Sequence, residues 1–320
     1  MIEKILQPLL NIIRNHKKKL ALLLGLYIVF LYLFFPFNDL GDLVAQKVSE
    51  LTSGQVFVNF DSLGFNILPQ PGFALTNVTV ETSYFPKLSA SSLSLSPSIA
   101  GLLSFKPGVS AHAENLLGGN VDFSSRGGDK TAAGKLKQKV NVDLSEVNLS
   151  DISDFAQLPL RLTGILSGSL NSQVDLDFTE QPASDLSLKI SKTLIPEGQI
   201  NTQLGPLDLP RTNLGDVVVD GKTEKGSFEI SHLVVGKPGG DLYANVFGKA
   251  ELNLQKVGNS ISPRFGGYDF SIHLQLGPDF AKKMSSFLGL LQSYQTALNT
   301  YAFRIFSSTA YAPPSLAKIQ

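Results

Sequence analysis

The chain has 320 residues, of which 43% are apolar, 9% aromatic and 17% charged, so apolar material for a core is plentiful and intrinsic disorder is excluded. Lys and Arg together number 27, as do Asp and Glu, and this balance argues against a nucleic-acid binder that relies on phosphate contacts. Cysteine is absent, which excludes disulfide scaffolds, thiolate metal sites, cysteine nucleophiles and acylation at a lipobox cysteine. At roughly 150 residues per domain the length suggests about two domains, although an all-β chain can form a longer single unit.

The N-terminal segment predicts a membrane anchor. Residues 20–35 carry no charge, and the apolar run continues to residue 37, which is the short end of the roughly 17 to 25 residues that a spanning helix needs. A buried core helix is the alternative, but it does not explain why basic residues precede the run and acidic residues follow it. Because Lys and Arg are retained on the cytoplasmic side, the N-terminus is expected in the cytoplasm. The anchor residues in this interpretation are Lys17, Lys18, Lys19, Leu20 and Phe35.

The predicted anchor divides the chain into a basic stub at 1–19, a span at 20–37 and an exported remainder. A cleaved signal peptide is the competing interpretation, but the residues after Phe35 read PFNDLGD, without the small-x-small site that cleavage needs. Residues 1–37 hold five basic residues and one acid, which leaves 22 basic and 26 acidic residues beyond them, a net charge of −4. The stub therefore suits an anionic lipid surface, whereas the exported body does not.

A short amphipathic helix is predicted at 38–53. Asn38 or Asp39 can cap its start, and Gly54 ends it. We expect this helix to lie at the membrane surface or to pack under a sheet. Its apolar positions recur at helical spacing and are Leu40, Leu43, Val44, Val48 and Leu51.

Residues 54–277 predict antiparallel β-structure, because apolar and polar residues alternate and 28 glycines and 17 prolines punctuate the chain. This alternation is typical of strands with one buried and one solvated side. The segment 126–139 is polar, basic and rich in glycine, which indicates a mobile loop or a boundary between two β lobes, with the tip of an ordinary long hairpin as the alternative. Clear examples of alternation are Val140, Val142 and Leu144, and Leu252 and Leu254.

A long amphipathic helix is predicted at 278–306, followed by a tail at 307–320. Apolar residues recur at steps of three and four from Phe280 to Ile305, Pro278 suits a first helical turn, and Pro313 prevents continuation. Packing on the sheet is the simplest role for this helix, with membrane docking or assembly as alternatives.

No catalytic, metal or cofactor site is predicted, since the sequence has no nucleophile elbow, P-loop, dinucleotide fingerprint or His-Glu-x-x-His. The four histidines are far apart, without metal-ligand spacing. His273 is expected to point to solvent, and His112 and His232 to stand alone. Asp175 and Asp177 lie two apart on a predicted strand, where they share a solvated polar face. Binding or scaffolding is therefore expected instead of catalysis.

A long sheet with one apolar face must cover that face with a second sheet, by closure, with helices or with an apolar ligand. If part of the face stays open, an acyl chain buried there gains about 0.8 kcal/mol per CH₂. A filled two-layer sandwich is the alternative. The candidate residues of the open trough are Val174, Leu176, Phe178, Leu186, Leu188, Ile190, Phe270, Ile272 and Leu274.

Several segments resemble the AsmA-like proteins of Gram-negative envelopes. They are the basic stub with its single span, the stretch 52–55, FNILPQPGFALTNVTVET at 65–82, the glycine-and-strand element at 162–178 and the strand at 246–252. Length and terminal architecture resemble most closely the protein N family of the type II secretion system.

The resemblance implies a mainly β, non-enzymatic inner-membrane protein with an elongated periplasmic sheet, an AsmA-like groove or a sandwich, and no cofactor. Its implied partners are the inner membrane and other type II secretion subunits, with no nucleic acid. The chain is too short for a groove that crosses the whole periplasm. Binding or transfer of phospholipid acyl chains is the alternative function.

Overall fold

The computed structural model describes residues 17–34, 37–66, 71–82, 86–98, 101, 103, 106–132, 134–158, 160–202, 205–257 and 260–319. Its helices are α1 (Lys17–Phe34), α2 (Phe37–Leu51), α3 (Leu149–Phe155), α4 (Pro278–Lys283), α5 (Ser285–Leu288) and a 3-10 helix (Gly289–Tyr294). Its strands are β1 (Val56–Asn59), β2 (Ser62–Asn66), β3 (Gly72–Thr82), β4 (Leu88–Pro97), β5 (Gly108–Leu116), β6 (Gly119–Lys130), β7 (Leu136–Asn148), β8 (Thr163–Val174), β9 (Ala183–Ile195), β10 (Gly198–Thr202), β11 (Gly205–Leu209), β12 (Thr212–Glu224), β13 (Ser227–Val235), β14 (Leu242–Val257), β15 (Ser260–Leu276), β16 (Gln295–Ala297), β17 (Thr300–Ser307) and β18 (Ser315–Lys318).

Sixteen of these strands form one antiparallel sheet in the order β1-β3-β4-β5-β6-β7-β8-β9-β12-β13-β14-β15-β17-β16, with β2 paired to β3 and β18 to β17. The exceptions are β10 and β11, which pair with each other. Consecutive strands are neighbours almost throughout, so the sheet is a meander of hairpins. The predictions of a mainly β chain, a large antiparallel sheet and few helices are confirmed.

Alternation along each strand produces two chemically different faces. In β9, Leu186, Leu188 and Ile190 are half-buried, whereas Ser187 and Lys189 between them are exposed. Because successive side chains of a strand point to opposite sides, the period-2 pattern of the sequence becomes one apolar and one polar face.

The segment 126–139 is a hairpin. β6 extends to Lys130 and β7 begins at Leu136. The two strands pair with each other up to the turn, from Arg126 opposite Lys139 to Lys130 opposite Leu136. The sheet is therefore continuous where the sequence left open a boundary between lobes.

Short, split strands cover both edges of the sheet. At one edge β1 and β2 pair with successive parts of β3, and at the other β16 and β18 pair with successive parts of β17. Short edge strands limit the unpaired backbone that another chain could join.

Two clusters of buried apolar side chains lie towards the two ends of the sheet. The first joins Leu63, Leu75 and Val78 to half-buried neighbours that include Leu40 of α2. The second lies under the C-terminal helical segments and contains Leu276, Ala281, Leu291, Tyr301 and Phe303.

The prediction of a long C-terminal helix at 278–306 is wrong. The helical part is short and broken into α4, α5 and the 3-10 helix, and β17 then pairs with β15 from Tyr268 to Gln275. Residues 300–307 read TYAFRIFS, which also alternates and is rich in β-branched and aromatic residues. Hydrogen bonding to the free edge of β15 favours the strand. This stabilisation comes from a neighbour distant in the chain, so the spacing of apolar residues within 278–306 does not reveal it.

The helix predicted at 38–53 is present as α2, and the segment before it forms α1. None of the helices in the described part of the chain combines the length and the apolar character that a membrane crossing requires. Of the predicted anchor residues, Phe35 lies outside the described residues, and Lys18 and Lys19 are exposed.

Candidate functional site

Pairing in the sheet aligns apolar side chains in continuous rows, which we call the apolar face. Residues directly opposite each other in an antiparallel pair share a face of the sheet. One row crosses twelve strands, β3 to β9, β12 to β15 and β17, over about 50 Å at roughly 4.8 Å per strand, without a polar residue. It contains Leu75, Leu93, Ala113, Val121, Leu144, Gly168, Leu188, Val219, Leu233, Val246, Ile272 and Phe303.

Two parallel rows flank this one between β9 and β15. They contain Leu186, Gly221, Ile230, Gly248 and Phe270, and Ile190, Val217, Val235, Ala244 and Leu274. Six of the nine candidate trough residues, three on β9 and three on β15, therefore lie in three shared rows although about 80 residues separate them in the chain.

The middle of the apolar face is thinly covered. Each strand makes its main contacts with its immediate neighbours, and the two buried clusters lie towards the ends of the sheet. Between them, five residues are only half-buried, Leu186, Leu188, Val219, Leu233 and Val246, whereas Val217 and Ala244 of a flanking row are buried. An extended apolar surface on this scale is suited to binding an apolar ligand or partner.

The other three candidate residues lie at or beyond the end of β8. Val174 is its last residue, and residues 175–182 form a loop, which we call the rim loop. Leu176 is 61% exposed there, and Phe178 has a φ of 53°. The prediction that Leu176 and Phe178 continue the strand is therefore wrong, because the chain turns immediately after Val174.

Asp175 causes that turn. Its carboxylate accepts hydrogen bonds from the Thr179 hydroxyl and from the backbone N–H groups of Thr179, at 2.8 Å, and of Asp177, at 3.1 Å. The bond from the Thr179 hydroxyl is the main reason why the pKa of Asp175 falls to about 2. Asp175 and Asp177 do not share a strand face, contrary to the prediction. The available sequence signal is Asp175 itself, since an Asp side chain can accept a hydrogen bond from the backbone N–H two residues on and so start a turn.

The rim loop connects distant parts of the sheet. Asp177 forms ion pairs with Lys135 at the β6–β7 turn, at 2.5 Å, and with Lys256 of β14, at 3.6 Å. The hydrogen bond from Lys135 lowers the pKa of Asp177 and raises that of Lys135. The side-chain amide of Gln181 donates to and accepts from the backbone of Leu254, at 3.0 and 2.8 Å. This arrangement bridges the β12–β13 turn and holds the rim in a defined shape.

One row of the polar face carries charges that alternate in sign across strands. Asp185, Lys222, Glu229, Lys249 and Asp269 occupy directly opposite positions on five neighbouring strands. Such pairs are exposed and contribute little individually to stability, but their order leaves little net charge on this surface.

His112 belongs to this face and does not stand alone, contrary to the prediction. Its Nδ1 lies 2.7 Å from an Asp122 oxygen and its Nε2 lies 3.7 Å from Glu114. His273 is exposed, as expected, and its ring stacks on Phe247 with 6.0 Å between centroids. Among the described residues, no group of three or more His, Asp or Glu side chains has the arrangement of a metal site.

The fold and the apolar face define a class of protein: a mainly β chain built on one long antiparallel sheet with a partly covered apolar side. The chain matches the family described as type II secretion system protein GspN-like, Synergistales, over residues 14–200, which is more than half of its length. It belongs to this family. No curated protein and no solved structure matches the chain.

Proposed function

We propose that this protein is a non-enzymatic accessory component of type II protein secretion, anchored in the inner membrane with its sheet in the periplasm. The observation that supports the secretion role is membership of the GspN-like family, whose match covers residues 14–200. Other subunits of the secretion machine are the partners that this membership suggests.

The secretion role is tested in the organism that encodes the chain. Deleting the gene should leave folded substrates of the system in the periplasm, and crosslinking of the tagged full chain in intact cells should recover secretion subunits. Normal secretion in the deletion strain, together with no crosslinked secretion subunit, would overturn the proposal.

The anchor is supported by the charge pattern around residues 20–37. Arg14, Lys17, Lys18 and Lys19 lie before the apolar run, and Asp39 and Asp42 follow it, which favours a cytoplasmic N-terminus. The chain has no cysteine, so a single engineered thiol reports topology without background. A Ser308→Cys variant, at an exposed position, should react with a membrane-impermeant thiol reagent in spheroplasts. Reaction only after the inner membrane is opened would reverse the orientation.

A second candidate function is the binding of acyl chains along the apolar face. The observation that favours it is the row of twelve apolar positions whose middle is only half-buried. Each buried CH₂ contributes about 0.8 kcal/mol, so a long acyl chain could be held without any charged contact.

Two neighbouring valines offer a matched test of this second function. Val219 lies on the apolar face between Leu188 and Leu233, whereas Val218 lies on the polar face between Lys189 and Val234. If acyl chains bind the apolar face, native mass spectrometry should find phospholipid on the wild type and on Val218→Glu, but not on Val219→Glu. A Val219→Thr variant, smaller in its perturbation, should lose part of the lipid. Equal lipid on all four folded proteins, or none on any of them, would exclude this function.

A further inference from the structure

Helix α2 presents two apolar surfaces. One faces the sheet, where Leu40 joins the first buried cluster and Gly41 lies against the Phe60 ring so closely that a Cβ there would be 2.8 Å from it. The other is exposed and consists of Leu43, Val44 and Leu51, with exposed fractions of 59%, 41% and 77%.

The geometry of the helix shows how its apolar residues are divided between those that contact the sheet and those that are exposed. At 100° per residue, Leu43, Val44 and Leu51 lie within about 100° of one another. The same arc contains Leu40, which joins the first buried cluster near the start of the helix, and the exposed Lys47. The sheet therefore covers this apolar arc at Leu40 and leaves it exposed at Leu43, Val44 and Leu51. Asp42 and Gln46 are exposed on the remaining side, and Lys47, between Leu43 and Leu51 on the helix surface, pairs with Glu50 at 2.9 Å.

The position of α2 in the chain indicates what covers these exposed residues. Only residues 35 and 36 separate it from α1, whose exposed side chains include Leu23, Leu26 and Phe30. An apolar helix placed at a bilayer would hold the following helix within reach of the same surface. Interfacial helices bind membranes in this way, with an apolar side in the acyl boundary and a polar side in water.

We propose that the exposed apolar flank of α2, formed by Leu43, Val44 and Leu51, docks on the surface of the phospholipid bilayer. The opposite side of the helix holds β1 and β2, so docking fixes the first end of the sheet at the membrane. This inference rests on the proposed anchoring by residues 20–37. It adds a second, lateral attachment that anchoring alone does not supply.

The absence of cysteine allows the full chain to be labelled at one position at a time. Leu51→Cys places a fluorophore on the apolar flank, and Gln46→Cys places the same fluorophore on the exposed polar side of the same helix as the matched control. Leu26→Cys in α1 reports the anchor itself. Each labelled protein is reconstituted in phosphatidylcholine–phosphatidylglycerol vesicles with and without doxyl-labelled lipid.

We expect a loss of emission with doxyl lipid at positions 51 and 26 and no loss at position 46. Loss at 26 but not at 51 would refute docking of α2 while leaving the anchor intact. No loss at 26 would refute the proposed anchor, and with it the membrane attachment argued for α2. A blue-shifted label at 51 that doxyl lipid does not quench would mean that protein covers the flank, which also refutes the proposal.

Discussion

Asp175 organises the rim loop through three hydrogen bonds to one carboxylate. Those bonds depend on the ionised form, because a protonated carboxyl loses acceptor capacity. The pKa of Asp175 is lowered from 3.8 to about 2 in the folded protein. Its contribution is therefore fully present above pH 3.8 and is lost as the pH falls through about 2.

Replacing Asp175 by Ala should loosen the rim loop without unfolding the sheet. We expect faster amide hydrogen exchange at Asp177 and Thr179 in Asp175→Ala, and wild-type protection that stays constant from pH 7 to pH 4 and declines below that range. Asp185→Ala, an exposed change two residues into β9, should leave the protection of both amides unchanged. Equal exchange at Thr179 in the two variants would contradict the role of Asp175.

Gly248 is a position of the apolar face where only glycine fits. Its φ is 149°, and a Cβ would lie 2.1 Å from the carbonyl oxygen of Asp269 on β15. The nearest atoms belong to the backbone of Asp269 and Phe270, which cannot move aside as the end of a flexible side chain could.

A Gly248→Ala change should lower the free energy of unfolding by about 1–3 kcal/mol through backbone strain. Gly64→Ala is the control, because Gly64 also lies in a strand but a Cβ there would meet nothing closer than 3.9 Å. Urea titration measures both changes. If Gly248→Ala lowers the free energy of unfolding no more than Gly64→Ala does, β14 and β15 accommodate the added methyl group without strain and the prediction is wrong.

Among the elements, β17 is where the sequence allowed two structures. Phe303 and Phe306 are three residues apart, so they would share one face of the predicted helix. In the strand they point to opposite sides. Phe303 is buried in the second cluster, whereas the Arg304 guanidinium carbon lies over the Phe306 ring, 5.1 Å from the centroid of that ring.

Alanine substitutions distinguish these structures. Phe303→Ala should destabilise the protein by about 3–5 kcal/mol because it empties a packed site. Phe306→Ala should cost about 1 kcal/mol or less, since it loses mainly the contact with Arg304. Similar losses for both, measured by thermal unfolding, would contradict the strand.

At the scale of the whole molecule, a single open sheet survives in solution only if its edges do not pair with other copies. β18 covers residues 303–306 of β17 at one edge. Its removal would leave that stretch of backbone unpaired, which is a template for a strand of another copy.

Ending the chain after Ser308 should therefore cause concentration-dependent self-association in detergent, detected by light scattering during size-exclusion chromatography. A chain that ends after Lys318 retains β18 and should behave like the full-length protein. Unchanged mass for the shorter chain across a hundredfold range of concentration would show that β18 does not protect the edge.

Much of this architecture could be read from local pattern. Alternation along β9 and β15 predicted strands, and with them an apolar side containing Leu188 and Ile272, because the period of a strand is a property of the backbone. The turn after Val174 was missed because apolar alternation continues through Leu176 and Phe178, and the hydrogen bonds of Asp175 decide where the strand stops. The ion pairs of Asp177 were missed because their partners lie 42 and 79 residues away in the chain.

Short-range spacing and composition are enough to predict the mainly β class, the two-faced strands and the hydrophobic start of the chain. The strand at residues 300–307 and the register of three apolar rows from β9 to β15 depend instead on long-range pairing. The exposure of Leu43, Val44 and Leu51 on α2 depends on the same packing. Hydrogen-bond pairing and contact area depend on which elements become neighbours, and that choice is made by the folded chain as a whole.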